Sequence, residues 1–206
     1  MKEIIDRHEK IALQFSGGKD SLAVLHLMEP YWDKLTVYFL DSGEAPYETL
    51  RLVKSVRDMV PRFKYVRGRI KETREMFGDP SEETRFTCCY LSIMVPMGRQ
   101  MKADGITLII RGQKEADKQK GPLKSGHIEG GIEFLYPIED WTDEMVFDYL
   151  REKNIPIPPF YREGVLFTPD CLFCTAWREY HGQEYVMRHY PQIASELTRR
   201  MKEVYG

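Results

Sequence analysis

Short apolar runs and helical periods alternate along this chain. Ile11-Ala12-Leu13-Gln14-Phe15 is dense enough in apolar side chains to predict a buried strand. A polar, glycine-bearing stretch follows. Then Leu22-Ala23-Val24-Leu25-His26-Leu27-Met28, apolar almost all round and closed by Pro30, predicts a buried helix. Leu35-Thr36-Val37-Tyr38-Phe39-Leu40 completes a strand–helix–strand unit, whose crossover is expected to be right-handed. Tyr47 to Val60 carries Leu52, Val56, Met59 and Val60 on one helical face, and Phe63 to Val66 is a third short strand. Gly68 to Arg85 is charged, with a helix expected through Lys71 to Phe77. It reads either as a mobile cover or as a solvated excursion.

The second half repeats the rhythm. Cys88 to Met101 predicts a helix despite Pro96, and Ile106 to Ile110 a strand that ends in Arg111-Gly112. Gln113 to Gly131 reads as a long polar loop with Lys114, Lys118, Lys120 and Lys124, either a phosphate-gripping lid or a solvated loop. Ile132 to Ile138 is expected as an edge strand. Thr142 should cap a helix running to Lys153, with Asp143 and Glu144 in its first turn and Met145, Val146, Tyr149 and Leu150 inward. The proline-rich Asn154 to Tyr161 must be extended, and Gln183 to Tyr205 is amphipathic and helical. This alternation predicts an α/β fold: a doubly wound, mostly parallel sheet in a single domain over residues 1–206, with a C-terminal helical extension.

The polar stretch Ser16-Gly17-Gly18-Lys19-Asp20-Ser21 is then a strand-to-helix turn. Its glycines let the backbone approach a ligand closely, and the N–H groups opening the helix lack intrahelical partners. With the helix dipole they make an anion site, to which Lys19 adds a charge and Ser16 and Ser21 add hydroxyls. The expected ligand is a phosphate chain. The spacing is not that of a Walker loop. Asp41 closes the second strand at the edge where open α/β sheets bind ligands. There it suits a ribose hydroxyl or a magnesium ion.

Composition narrows the class. The 206 residues are 42% hydrophobic and 30% charged, ordinary for a globular protein, and a net charge of −2 advertises no overall affinity for nucleic acid. No apolar run approaches the roughly 20 residues that span a bilayer, and the first residues lack the features of a signal peptide. The expectation is a cytoplasmic protein with no membrane partner, whose thiols stay reduced. Its four cysteines form an adjacent pair, Cys88-Cys89, and a C-x-x-C, Cys171 to Cys174. Four thiolates suit a [4Fe–4S] cluster, whose separate irons neighbouring cysteines can each reach, or a tetrahedral zinc. Unliganded thiols or a redox disulfide remain alternatives.

The loop, Asp41-Ser42-Gly43-Glu44 with Pro46 and Glu48-Thr49, Cys88-Cys89, Pro137-Ile138 with Trp141-Thr142, and Cys171-x-x-Cys174-Thr175 together resemble the phosphoadenylylsulfate reductase family. That family lies within the PP-loop ATP pyrophosphatases, adenine nucleotide alpha hydrolase-like proteins. The resemblance implies an adenine nucleotide at Ser16 to Ser21, Asp41, Arg111 and Gly112, with Lys19 and Asp41 catalytic. It also implies a cluster on Cys88, Cys89, Cys171 and Cys174. Two features depart from the reductases. No cysteine follows Cys174, where they carry a catalytic one, and the ATP-type SGGKDS is intact where theirs is degraded. The arginine motif after the fourth strand is only partly matched, by Arg111, Gly112, Lys114 and Glu115. The expected activity is therefore ATP-dependent adenylation of an acceptor followed by sulfur transfer, with ATP as substrate and Mg2+ as cofactor. The alternatives are a sulfonucleotide reductase variant and a non-catalytic nucleotide or redox sensor. Expected partners are a sulfur donor or reductant protein, a nucleic acid as acceptor, and a second copy in a homodimer.

Overall fold

A computed structural model describes residues 1–117, 124–176 and 182–206. The chain divides into two compact units that interleave in sequence. The first comprises Met1–Phe39, Leu52–Tyr65 and Gln100–Ile157; the second comprises Leu40–Arg51, Val66–Arg99 and Pro158–Gly206.

The first unit is built on the predicted sheet. Its strands are β1 (Ile11–Gln14), β2 (Leu35–Asp41), β3 (Phe63–Arg67), β4 (Leu108–Ile110), β5 (Ile128–Glu129) and β6 (Ile132–Leu135), in the order β3-β2-β1-β4-β6-β5; the last residues of β2 and β3 fall in the second unit. β1 runs parallel to both β2 and β4, with Leu13 opposite Val37 and Ile110. β4 is parallel to β6, and β5 is antiparallel to β6. The edge is thus β5, not β6. The second half of the polar loop turns back as a hairpin strand and covers the segment expected at the edge. Ile11, Ala12, Leu13, Leu108, Ile109 and Ile110 are buried, as an inner parallel strand requires.

Helices α1 (Lys2–Ile5), α2 (Lys19–Leu27), α3 (Tyr47–Met59) and α7 (Asp143–Glu152) accompany this sheet, and α7 packs on α2. Thr142 caps α7 as expected, accepting from the Met145 N–H at 3.2 Å. The inward faces differ in detail from the sequence reading. In α3 the buried positions are Thr49, Val53 and Val56, followed by Val60, while Met59 is exposed; in α7 Val146 and Leu150 are buried and Met145 is exposed. A three- to four-residue period allows either neighbour on an apolar edge to face outward. The sheet end opposite the Ser16–Ser21 loop is pinned by Glu133, which accepts from Arg7 and bonds His8 Nε2 at 2.7 Å.

The second unit is mostly helical. α4 (Ile70–Phe77) ends at Gly78, whose φ of +77° suits glycine. From Arg85 the chain is helical to Ala103, as α5 (Arg85–Cys89), a π turn (Tyr90–Met94) and α6 (Val95–Ala103). Pro96 explains the wide turn. It has no N–H for the Ser92 carbonyl and its ring crowds that carbonyl, which accepts instead from the Arg69 N–H at 2.9 Å. The C-terminal helical region is two helices, α8 (Gly182–His189) and α9 (Pro191–Tyr205). No helix among the described residues is long and apolar enough to cross a membrane.

Candidate functional site

Strand order reverses at β1, between β2 and β4, and Ser16–Ser21 and Arg111–Gly112 follow β1 and β4 at that point. Open α/β sheets bind ligands at such a switch. Gly17 takes φ +80°, and Gly18 starts α2 with extended backbone and no side-chain cap. Within the loop, Ser21 Oγ donates to the Gly18 carbonyl at 3.0 Å and accepts from the Ser16 N–H at 3.2 Å. The Ser16 and Ser21 hydroxyls lie 3.1 Å apart. The first-turn N–H groups of a nine-residue helix thus keep their anion-binding character.

Gly112 explains how close β4's end comes. A Cβ there would lie 2.8 Å from Asp20 C and Ser21 N, so only glycine lets the two segments touch. Arg111, its neighbour, turns elsewhere. Its Nε donates to Gln14, and its guanidinium stacks 5.1 Å from the Phe134 ring; burial draws its pKa down.

Two lysines are buried at the loop. Lys19 Nζ lies 2.8 Å from Asp20 and 3.0 Å from Asp143. Lys114 Nζ lies 2.6 Å from Asp20, 2.8 Å from Asp117 and 3.2 Å from Asp143. Burial draws the Lys114 ammonium down, but hydrogen bonds to Asp117 and Asp20 outweigh it and hold its pKa above the usual lysine value. Burial likewise pushes the half-exposed Asp143 up, and Lys19 and Lys114 overcome this and hold it below the usual carboxylate value. The Lys114 ammonium therefore stays charged beside the helix start. Asp143, Asp117 and the burial of Lys114 were not legible as site features. Asp143 reads as an ordinary first-turn acid, and Lys114 as one of four loop lysines. Of the others, Lys124 is exposed, and Lys118 and Lys120 lie outside the described residues.

The second unit holds Asp41 and the cysteines. Asp41 accepts from the Gly43 N–H at 2.8 Å, and its carbonyl from the Gly68 N–H at 2.7 Å. The following turn is tied to the C-x-x-C segment: Ser42 donates to the Asp170 carbonyl, and the Leu172 N–H to the Glu44 carbonyl at 2.9 Å. Arg74, nearly buried on α4, bridges Glu44 and Asp79 and donates to the Phe173 carbonyl at 3.2 Å. The charged segment read as a cover or an excursion is anchored by that guanidinium, by Thr175, which donates to the Pro80 carbonyl at 2.6 Å, and by Arg200, which pairs with Asp79. Among the described residues, buried Glu44 Oε2 and Thr49 Oγ1 have no hydrogen-bond partner.

All four thiols are partly buried, and none is in a disulfide among the described residues. Burial pushes Cys89 up to about 11, and the neighbouring Cys174, Cys88 and Asp170 add to this. Cys171 is pushed well above the usual thiol range by burial, then by Asp170 and Cys174. The two cysteine pairs thus feel each other electrostatically. A set of four thiols fits a cluster or zinc in donor chemistry, although no group of three or more His, Cys, Asp or Glu among the described residues is arranged as metal ligands.

Residues 10–193 match the family model of the phosphoadenosine phosphosulfate reductase domain. The phosphoadenosine 5'-phosphosulfate reductase of Synechocystis sp. is 21% identical over 178 residues, 78% of this chain and 68% of its own. The adenosine 5'-phosphosulfate reductase of Neisseria meningitidis serogroup A is 28% identical over 174 residues, 80% of this chain and 71% of its own. Among solved structures, the phosphoadenylyl-sulfate reductase of Candida auris, in its phosphate complex, superposes with a TM-score of 0.65 at 18% identity. The match covers 81% of this chain and 84% of that one. This last is a likeness of fold.

Proposed function

Because this chain belongs to the phosphoadenosine phosphosulfate reductase domain family, we propose that it is an enzyme acting on an adenine nucleotide at Ser16–Ser21, that the nucleotide is ATP, and that it adenylates an acceptor and then thiolates it. The observation that carries this reading is the uncapped start of α2 with the buried, charged Lys19 and Lys114 beside it. Such a site stabilises a leaving diphosphate, whose negative charge grows as its bond to the α-phosphorus breaks. A sulfonucleotide has no β,γ-diphosphate to fill it.

In this reading the acceptor oxygen attacks the α-phosphorus and pyrophosphate departs, stabilised by the loop N–H groups, Lys19 and Mg2+. Hydrosulfide then bonds the activated carbon, whose bond to the oxygen of AMP breaks. No net oxidation occurs. Lys114 positions Asp20 and Asp143, and Asp41 is assigned to Mg2+ or a ribose hydroxyl. Cys88, Cys89, Cys171 and Cys174 would hold a [4Fe–4S] cluster, which when bound supplies a site for the sulfide.

The test mixes reconstituted protein with MgATP, sulfide and pooled tRNA or DNA. Pyrophosphate, AMP and a thiolated nucleoside formed together support the proposal. A second reading, sulfonucleotide reduction, is favoured by the names of the relatives. Sulfite formed from adenylylsulfate, with no pyrophosphate from ATP under any acceptor, would replace the first reading with the second.

A further inference from the structure

The turn that carries Cys171 and Cys174 lies in the second unit, against the nearly buried guanidinium of Arg74 on α4. Arg74 Nη1 donates to Glu44, its Nε lies 3.1 Å from Asp79, and its Nη2 donates at 3.2 Å to the carbonyl of Phe173, a residue between the two cysteines. Glu44 grips the same turn through its backbone, where its carbonyl accepts from the Leu172 N–H at 2.9 Å. The turn closes on itself as the Cys174 N–H donates to the Cys171 carbonyl at 3.1 Å. Arg200 backs this arrangement, with its guanidinium 4.9 Å from the Phe173 ring and its Nη1 3.3 Å from Asp79. Three acceptors on three nitrogens of one plane suit a guanidinium; an ammonium is a single point and cannot span them.

A buried ion pair is a poor device for stability, since apolar side chains of the same volume do as well. Its place beside the thiols points to another use. Cys171 feels the charges of Asp170, Cys174, Glu44 and Arg74, and of these Arg74 alone is positive. Thiolates gathered on a metal or a cluster add negative charge to a spot that already holds the Glu44 carboxylate, and without Arg74 that carboxylate would lose its cation. We propose that Arg74 is the positioning residue of the cysteine centre: it fixes the Cys171–Cys174 turn through the Phe173 carbonyl and offsets the Glu44 charge beside the thiolates. The inference rests on the reading of Cys88, Cys89, Cys171 and Cys174 as ligands and is independent of the ATP chemistry. Groups that orient and charge-balance a ligand set are typically worth about tenfold to a hundredfold in metal affinity.

The test is Co2+ titration of the full chain, reduced, metal-free and anaerobic, read by the intense visible bands of tetrahedral cobalt on thiolates. The parent is expected to show them. Arg74→Met removes both fork and charge and should bind Co2+ about tenfold to a hundredfold more weakly. Arg74→Lys keeps the charge but loses the fork, and should fall between the two. Adding Glu44→Gln to Arg74→Met should recover at least about twofold, because no carboxylate then opposes the thiolates. A merely structural role would leave the double variant no better than the single. Circular dichroism of the metal-free chains follows the fold. Where Arg74→Met does not fold, Arg74→Lys and Glu44→Gln alone decide, the first expected weaker than the parent and the second at least as tight; the reverse of either overturns the inference. Arg74→Met binding as tightly as the parent, or a double variant as weak as the single, overturns it while leaving the cysteines as ligands. A parent that takes up no cobalt on thiolates overturns the ligand reading and this inference with it.

Discussion

Gly112→Ala is a one-carbon change with a calculable effect on the Ser16–Ser21 loop. The added Cβ would lie 2.8 Å from both Asp20 C and Ser21 N and 2.9 Å from Asp20 O. All three are backbone atoms of the first turn of α2, so no side chain can swing away. Restoring ordinary contact at 3.4 Å from 2.8 Å requires a relative shift of about 0.6 Å between the end of β4 and the start of α2. Overpacking of this size costs about 1–3 kcal/mol. At about 2–4 °C per kcal/mol for a chain of this length, the melting temperature should fall by roughly 2–12 °C. The shift also displaces the N–H groups that would face the phosphates of the proposed nucleotide. Since an error of about 1 Å costs about a hundredfold where geometry is tight, ATP binding should weaken roughly tenfold. Differential scanning calorimetry and isothermal titration with MgATP read the two effects. An alanine variant that melts with the parent and binds ATP as tightly would refute the close approach, and with it the placement of Gly112 at the loop.

Three further outcomes follow from the same geometry. Lys19→Ala should weaken triphosphate binding by about tenfold to a hundredfold without unfolding the chain, because the backbone donors of α2 remain; titration calorimetry against ATP and AMP checks this. Asp143 is held below its ordinary value of 3.8 by Lys19 and Lys114, so its contribution to stability is present above pH 3.8 and is lost as pH falls through the lowered value. Asp143→Asn should therefore be less stable at neutral pH and should show a shallower loss on the acid side; equal slopes for variant and parent would contradict this. Anaerobically prepared protein should carry roughly four irons per chain, and Cys171→Ser should lose both iron and thermal stability. Stoichiometric zinc in colourless protein would contradict the cluster.

The loop was legible in the sequence because everything that makes it is contiguous. Two glycines, two hydroxyls and a lysine between an apolar strand and an apolar helix specify a strand-to-helix turn with no help from distant residues, and the structure shows that turn. The parallel sheet was legible for a similar reason: its inner strands are buried on both faces, so β1 and β4 read as continuous apolar runs. The charged partners were not legible. Lys114 is fully buried, yet it sits in a run of polar residues, and of its partners only Asp117 is near in sequence, while Asp20 and Asp143 come from distant segments. A buried charge is tolerated when paired, and no local period records the pairing. Arg74 escaped notice for the same reason, its carboxylates lying on Glu44 and Asp79. The π turn was hidden too. Pro96 signals a lost hydrogen bond, but not that the Arg69 N–H would take up the Ser92 carbonyl.

The central claim is that the loop with Lys19 and Lys114 serves a triphosphate, and one competition experiment tests it most directly. Titration calorimetry of the anaerobically purified chain with MgATP, AMP and adenylylsulfate, with sulfite assayed in the same samples after thioredoxin is supplied, compares the three ligands at one site. The account predicts that ATP binds at least about tenfold more tightly than AMP or adenylylsulfate, because only ATP places β,γ-phosphates against the N–H groups of α2 and Lys19, and that no sulfite forms. Adenylylsulfate bound more tightly than ATP and reduced to sulfite would contradict it.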